Sequence, residues 1–336
     1  DAISTLLGHS AVLTGRETVP LADAGGRTLA ADIKAGINVP PADNSAMDGY
    51  AFRFEDWRDA ESALPLSQRI TAGSVPRPMQ TGTAARIFTG AELPPGADTV
   101  VMQEHCVGDD DSVTILKRPQ QGANIRPRGQ DIERGQTVLT AGVRLRPQDL
   151  GLVASLGQAH VDVYQPLKVA VLSTGDELVE PGEVAGSGKI YNSNRYTMRA
   201  QLEAWGFDVV DLGVARDEPA AVRELLHQAS AEADVILTSG GVSVGEEDHV
   251  KAVVESLGSL DLWRIAIKPG KPFAFGKVGA TPFLGLPGNP VSVFVTMLVI
   301  ARPFLFASQG IADTGLHAVR QKALFSRKSS FREDYI

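Results

Sequence analysis

Between Leu167 and about Ala307 the sequence repeats one pattern: a short apolar run, a glycine-bearing turn, then apolar residues at helical spacing. KVAVL (168–172), DVVDL (208–212), DVILT (234–238), LWRIAI (262–267), PFAFG (272–276) and PFLGL (282–286) are the apolar runs. The spacing predicts helices over 195–205, closed by Gly206, and over 220–231, entered through Asp217 and Pro219. A third follows the acidic stretch before Val250, Val253, Val254 and Leu257. Short apolar strands alternating with helices predict a parallel sheet covered on both faces, a doubly wound α/β domain. In such sheets ligands lie outside the carboxyl ends of the strands.

The rest of the chain follows a different rhythm. Residues 16–160 hold short β-prone runs, ARIFTG, DTVVMQE, SVTIL and AHVDVY, separated by glycine and proline. They predict a mostly β insertion, a small barrel or sandwich. PQDLGLVASLG (147–157) reads as a helix, and 3–13 as a helix that packs back on the α/β domain. With 336 residues, two or more domains are expected. A formal charge of -8 argues against nucleic-acid binding, which needs a basic surface, and one cysteine excludes an internal disulfide. The six histidines show no HxH or HxxxH spacing for zinc. The apolar stretch 291–306 is broken by Ser292, Thr296, Arg302 and Pro303, so it reads as a buried helix and no membrane partner is expected. A cytoplasmic location follows as the default, and the chain reads as trimmed at both ends.

Three strand ends carry the same kind of turn: STGDEL (173–178), SGGVSVGEED (239–248) and LPGNPVSV (286–293). Glycines there let backbone N–H groups face a ligand, and the helix start that follows adds partial positive charge, a combination suited to phosphate. Any α/β protein needs such turns, but three at one sheet edge favour a ligand. Asp176, Glu177, Asp217, Glu246, Glu247 and Asp248 crowd the same ends; Asp217, before Glu218 and Pro219, reads as a helix cap. The others exceed what capping needs. Carboxylates repel phosphate unless a cation lies between, and Mg²⁺ binds one or two carboxylates together with phosphate oxygens. Lys268 and Lys271, in IKPGKPF, supply further positive charge. Ser243 matches the letters of the hydrolase elbow G-x-S-x-G, but the acids behind it disfavour that reading, and Cys106 lacks the partners of a catalytic thiol. In the β region three polar segments, PPADNSAMDGYAFR (40–53), FTGAELPPGADTVV (88–101) and NIRPRGQDI (124–132), each read as a loop when taken alone.

Taken together and in order, PPADNSAMDGYAFR, FTGAELPPGAD, NIRPRGQDI, STGDEL, SGGVSVGEEDHV, IKPGKPFAFG and GLPGNPVSV resemble the signature segments of the molybdopterin molybdenumtransferase family, which includes MoeA and the E domain of gephyrin. The resemblance runs over nearly the whole chain. It implies insertion of molybdate into adenylylated molybdopterin, with Mg²⁺ assisting and AMP leaving, in a homodimer that contacts molybdopterin adenylyltransferase. The division it implies is an N-terminal helix (1–15) on the α/β domain, an elongated linking domain (16–42 and 132–160), a mostly β domain (43–131), a molybdopterin-binding α/β domain (161–315) and the opening strand of a truncated C-terminal β domain (316–336). The matching catalytic positions are Asp48, Glu177, Asp217, Asp248 and Lys268, with Glu177, Asp217 and Asp248 near the metal. Substrate binding falls to Thr89, Arg126, Asp131, Ser173, Thr174, Gly175, Ser239, Gly240, Gly241, Lys271, Pro287, Gly288 and Pro290. Two alternatives stay open: an adenylyltransferase, whose α/β domain shares the STGDEL-like and SGG turns but lacks the β-rich segment, and a scaffold without turnover.

Overall fold

The computed structural model of the chain describes residues 2–241, 249–316, 318–322, 324–326 and 333–334, without the side chains of 262–264 and 333–334. It divides into two compact units, one of Asp1–Ala31, Thr140–Leu150 and Ala159–Ile336, the other of Asp32–Leu139 and Gly151–Gln158. The stretches read as a linking domain are shared between them. Arg16–Pro20 pairs antiparallel with His160–Tyr164 in the first unit, and Ile33–Lys34 with Thr137–Leu139 in the second.

The first unit is built on a six-stranded sheet in the order Asp208–Ala215, Lys168–Thr174, Val235–Ser239, Thr281–Leu286, Pro272–Val278, Gly258–Arg264. The first four strands are parallel, as the strand and helix alternation requires. Pro272–Val278 runs antiparallel to both of its neighbours, so Gly258–Arg264 again points the same way as the first four, which corrects the expectation of a wholly parallel sheet. The reason is connection length. Val278 pairs with Thr281 across only Gly279 and Ala280, with Gly279 at φ 60°, and a parallel return needs a crossover of about a dozen residues.

Side chains alternate between two cores along each strand. Val169, Val171, Val235, Leu237, Leu284 and Leu286 meet Met198 and Leu202 of the helix Ser193–Ala204 and Val293 of the helix beginning at Pro290. Ala170, Leu172, Ile236 and Phe283 meet Val222 and Leu226 of Pro219–Glu232 and Val250 and Val253 of His249–Leu257. Each large apolar side chain so buried contributes roughly 1.5–3 kcal/mol, enough to hold helices on both faces.

Two sequence expectations change and one holds. The first helix stops at Gly8, inside the predicted 3–13, because His9 and Ser10 N–H groups turn back to the carbonyls of Leu6 and Leu7; Leu6 still packs into the first core. The apolar stretch 291–306 is part of a continuous helix, Pro290–Ser308, long and apolar enough by length and composition to cross a bilayer. As expected it is buried, with 67% of its apolar window inside the fold, where Val293, Met297, Ile300, Phe304 and Leu305 join the first core; Pro303 follows a π-helical segment, Met297–Ala301. The predicted strand around 316–325 has no strand residues among those described there, and Leu316, Val319, Leu324 and Phe325 are exposed without a ladder partner.

The second unit carries another six-stranded sheet, in the order Thr99–Met102, Gly49–Phe52, Ala84–Ile87, Ala63–Ile70, Ser112–Ile115, Cys106–Gly108. It is antiparallel except where Ala63–Ile70 runs with Ala84–Ile87. Among the described residues no pairing closes it into the predicted barrel. Ala51, Ile70, Ala85, Ile87 and Val100 form one small core, and Phe52, Leu64, Ala84, Val101, Val113 and Ile115 another.

At Gly276 the antiparallel edge pairing is so close that an added Cβ would lie 2.1 Å from the Ser259 carbonyl oxygen. Gly276→Ala is therefore expected to cost about 2 kcal/mol. A fall in the urea midpoint at constant slope checks this; an unmoved midpoint contradicts the pairing.

Candidate active site

Strand register assembles the site. Thr174 is level with Ala215, Ser173 with Ser239, and Ser239 with Leu286, so the four parallel strands end in one line and their following turns stand side by side. Two of the helices that leave these turns are capped by asparagine. Asn192 Oδ1 accepts from Arg195 N–H at 3.3 Å. Asn289 Oδ1 accepts from Val291 and Ser292 N–H at 3.1 and 3.2 Å, with Pro290 in the first helical position.

The turns enclose a cleft lined by Thr174, Glu177, Leu178, Ile190, Tyr191, Asn192, Ser193, Asn194, Ser239, Gly240, Gly288 and Pro290. Six of these belong to the predicted site: Thr174, Glu177, Ser239, Gly240, Gly288 and Pro290. Glycine is obligatory where two turns touch. At Gly240 (φ 86°) a Cβ would lie 2.9 Å from the Thr174 carbonyl oxygen, and at Gly241 (φ 65°) 2.7 Å from Thr174 Oγ1. Ser173 lies buried beneath, its hydroxyl 3.4 Å from both Ser239 Oγ and Asn192 Oδ1. Sequence reasoning missed the segment 190–194. Asn194 Nδ2 donates to the Gly288 carbonyl at 2.7 Å and so ties the helix start to the glycine turn, while its Oδ1 is buried without a hydrogen-bond partner among the described residues. The signal was available as an asparagine cap three residues before Arg195, at the start of the helical pattern.

The acids behave differently from caps. Asp217 does not cap the helix Pro219–Glu232: Glu218 holds the cap position without a side-chain hydrogen bond, since Asp217 stands one residue too early. Instead the Asp217 N–H donates to Asp176 Oδ1 at 3.1 Å, linking the turns after two adjacent strands. The Glu177 carboxylate curls over Gly175 (φ 143°), with Oε2 2.3 Å from where a Cβ would stand there. Lys189 Nζ donates to the Asp176 carbonyl. Asp176, Glu177 and Asp217 thus come from neighbouring strand ends, but no group of three acid, histidine or cysteine side chains is close enough to hold a metal among the described residues. Asp248, Glu246 and Glu247 lie outside the described residues, as does Ser243. Lys268 and Lys271 are exposed near the edge-strand turn closed by the Ile265 N–H to Lys271 carbonyl bond; Pro287 is buried, and none of the three lines the cleft.

In the second unit the three segments read as separate loops are one construction. Ser45 N–H donates to the Ala91 carbonyl, Gly90 N–H to Ser45, Leu93 N–H to Asp43 and Ala46 N–H to Asn124, while Asn44–Ser45 pairs with Ile125–Arg126. Asp48 Oδ1 accepts from Thr89 N–H at 2.8 Å and from Thr89 Oγ1 at 2.7 Å. These two donors, backbone first, hold the Asp48 carboxyl below its usual range against an opposing effect of burial, with a lesser contribution from the Arg86 charge. Arg126 Nη2 pairs with Asp131 Oδ2 at 2.6 Å, and Arg128 N–H donates to Asp43 Oδ1 at 2.6 Å. Cys106 is held inert: burial pushes its thiol up to about 11.

Residues 1–157 match a family described as "MoeA N-terminal region (domain I and II)", and residues 170–307 one described as "Probable molybdopterin binding domain". A molybdopterin molybdenumtransferase from Haemophilus influenzae is 44% identical over 311 residues, covering 92% of this chain and 77% of that protein. One from Nostoc sp. is 38% identical over 305 residues, covering 88% and 70%. Among solved structures, a molybdopterin biosynthesis MoeA protein from Pyrococcus horikosii superposes with a TM-score of 0.81 at 34% identity, covering 92% of this chain and 79% of that one.

Because Thr89 donates twice to Asp48, Thr89→Ala removes one donor and keeps the larger, backbone one. The Asp48 carboxyl should then titrate higher than in the parent but still below 3.8, as read by NMR. The stabilisation tied to this depressed carboxyl is present above its ordinary titration range and is lost as pH falls through the folded-state value.

Proposed function

The chain belongs to the MoeA family of molybdopterin molybdenumtransferases, and from that premise we propose that it inserts molybdate into adenylylated molybdopterin with release of AMP. The observation that supports this most is the convergence, at one sheet edge, of glycine-bearing turns and of carboxylates from adjacent strand ends.

In this reading the phosphate groups lie against the backbone of the turns that bear Gly175, Gly241 and Gly288, helped by the partial positive charge where the helix from Pro290 begins. Thr174 and Ser239 hydroxyls and the asparagines of 192–194 orient the bound molecule along the cleft. Glu177 and Asp217, joined by Asp248, would hold Mg²⁺, which when bound supplies the positive charge that a phosphoanhydride and three acids need between them. Lys268 and Lys271 offset the remaining negative charge, and Pro287 and Pro290 stiffen the turn that bears Gly288. From the second unit Asp48, Thr89, Arg126 and Asp131 form preset polar pairs; in a homodimer they serve the partner subunit's substrate. Contact with molybdopterin adenylyltransferase would deliver the adenylylated substrate without dilution, in the cytoplasm.

The test is AMP release from adenylylated molybdopterin with Mg²⁺, with and without molybdate. Glu177→Gln and Asp217→Asn should each slow molybdate-dependent release roughly 100-fold with an unchanged urea midpoint, since both side chains serve charge and not packing. Undiminished rates would remove the metal assignment, and pyrophosphate formed from ATP and molybdopterin would replace this reaction by adenylyl transfer.

A further inference from the structure

The second unit has a cleft of its own, of about 290 Å³, lined by Tyr50, Leu66, Ser67, Gln68, Arg69, Arg86, Asp109 and Asp110. Its wall is a cross-strand row. Tyr50 is level with Arg86, and Arg86 with Arg69, on three consecutive strands, so their side chains share one face of the sheet. Towards one end this face is sealed by the core around Phe52, Ala84 and Val101. At the row itself the apolar cover ends and cations begin.

The two arginines are held in different ways. Arg86 has its guanidinium 4.9 Å from the Tyr50 ring centre and 4.8 Å from that of Phe88. It donates through Nη1 to the Gly49 carbonyl at 3.0 Å and through Nη2 to Gln103 Oε1 at 2.5 Å. Rings and hydrogen bonds together fix the plane of the guanidinium while leaving N–H groups over, since it carries five. The Arg69 guanidinium lies 4.8 Å from the centre of the same Phe88 ring, and its side chain makes no hydrogen bond or ion pair among the described residues. Neither arginine forms an ion pair among the described residues, although the Arg86 charge acts on Asp48, and the opposing charges that line the cleft are Asp109 and Asp110. Asp109 is engaged in its own turn, accepting from the N–H groups of Asp111 at 3.0 Å and Ser112 at 2.9 Å. Gln68 is likewise committed, to both the N–H and the carbonyl of Arg77.

We propose that this cleft is an oxyanion site, in which Arg69 and Arg86 bind a tetrahedral dianion of the molybdate or phosphate class. Two guanidinium groups on one aromatic ring repel each other, and a doubly charged oxyanion between their edges relieves the repulsion while matching their forked donors. The room suits a small ion with some of its water and falls below the volume typical of drug-sized ligands. The site would lie on the face of the sheet that carries Asp48 towards its end, and so would hold either free molybdate or the phosphate of a larger substrate near the residues assigned above to the second unit. The proposal deepens the molybdate reading but its chemistry stands without turnover.

The intact chain would be dialysed at low ionic strength against molybdate, tungstate and inorganic phosphate in turn, and bound anion counted. Arg69→Gln should weaken one class of site about tenfold for at least one of these anions, while Arg58→Gln, an equal loss of charge outside the cleft, leaves it unchanged. A preference for molybdate marks the free oxyanion as the ligand, and a preference for phosphate marks the phosphate group of a larger molecule; either supports the site. Binding of all three anions by Arg69→Gln as tightly as by the parent overturns it, as does an equal loss in Arg58→Gln, which shows only general charge. Anion binding lost in Arg69→Gln from a protein that releases no AMP would leave the site standing and remove the transfer reaction alone.

Discussion

The contact between the turn after Val235–Ser239 and the turn after Lys168–Thr174 is the constraint on which the first unit's site depends. Parallel strands in register end together, but their turns interfere unless one of them lacks side chains. Gly240 and Gly241 lie against the Thr174 carbonyl and hydroxyl at distances that leave no space for a Cβ, and both adopt positive φ. The Gly240 N–H donates to the Leu286 carbonyl at 3.2 Å, so this turn is also tied to the strand end on its other side. Packing of one strand end on another therefore sets the course of the turn that lines the cleft.

The neighbouring features serve to keep that cleft in place. Asn194 bonds the Gly288 carbonyl from a helix whose own start is fixed by Asn192, so the turn at 286–290 is tied to the 190–194 segment on the opposite wall. Farther along the same helix, Arg195 pairs with Glu180 at 3.0 Å and Asp211 at 2.7 Å. Burial raises the Asp211 carboxyl, but Arg195 and the Gly213 N–H outweigh it and hold the group below its usual range. An ion pair of this kind, partly screened from water, fixes position more than it adds stability. The helix is thus anchored at its start by hydrogen bonds and along its flank by charge.

The second unit reaches a comparable rigidity by other means. Gly49 allows the strand Gly49–Phe52 to approach Thr99–Met102 so closely that a Cβ would lie 1.9 Å from the Val101 carbonyl oxygen. That approach sets Asp48, immediately before it, within reach of both donors of Thr89, and brings the Gly49 carbonyl to Arg86. The sequence MDGYA thereby combines an acid, a glycine that lets strands close up, and a tyrosine that stacks on an arginine. Asp48, Gly49 and Tyr50 are consecutive, and each of the three has a separate physical role.

Much of this was legible in the sequence because it is local. Alternating apolar runs and helical spacing specify strands, helices and two-sided burial, and the glycines of STGD, SGG and LPGN mark the turns whatever surrounds them. The ordered motifs also carry the family. Three-dimensional packing alone decided the rest. The antiparallel edge depended on a two-residue connection at Gly279 and Ala280 whose consequence appears only once Val278 and Thr281 pair. Asp217 reads as a cap from its neighbours and becomes a partner of Asp176 only when two strands 41 residues apart lie side by side. Asp48 with Thr89, also 41 residues apart, and the row of Tyr50, Arg86 and Arg69 are contacts between strands, invisible to any periodicity within one. Short-range sequence determines which surfaces each element buries; register, set by the whole sheet at once, decides which side chains meet.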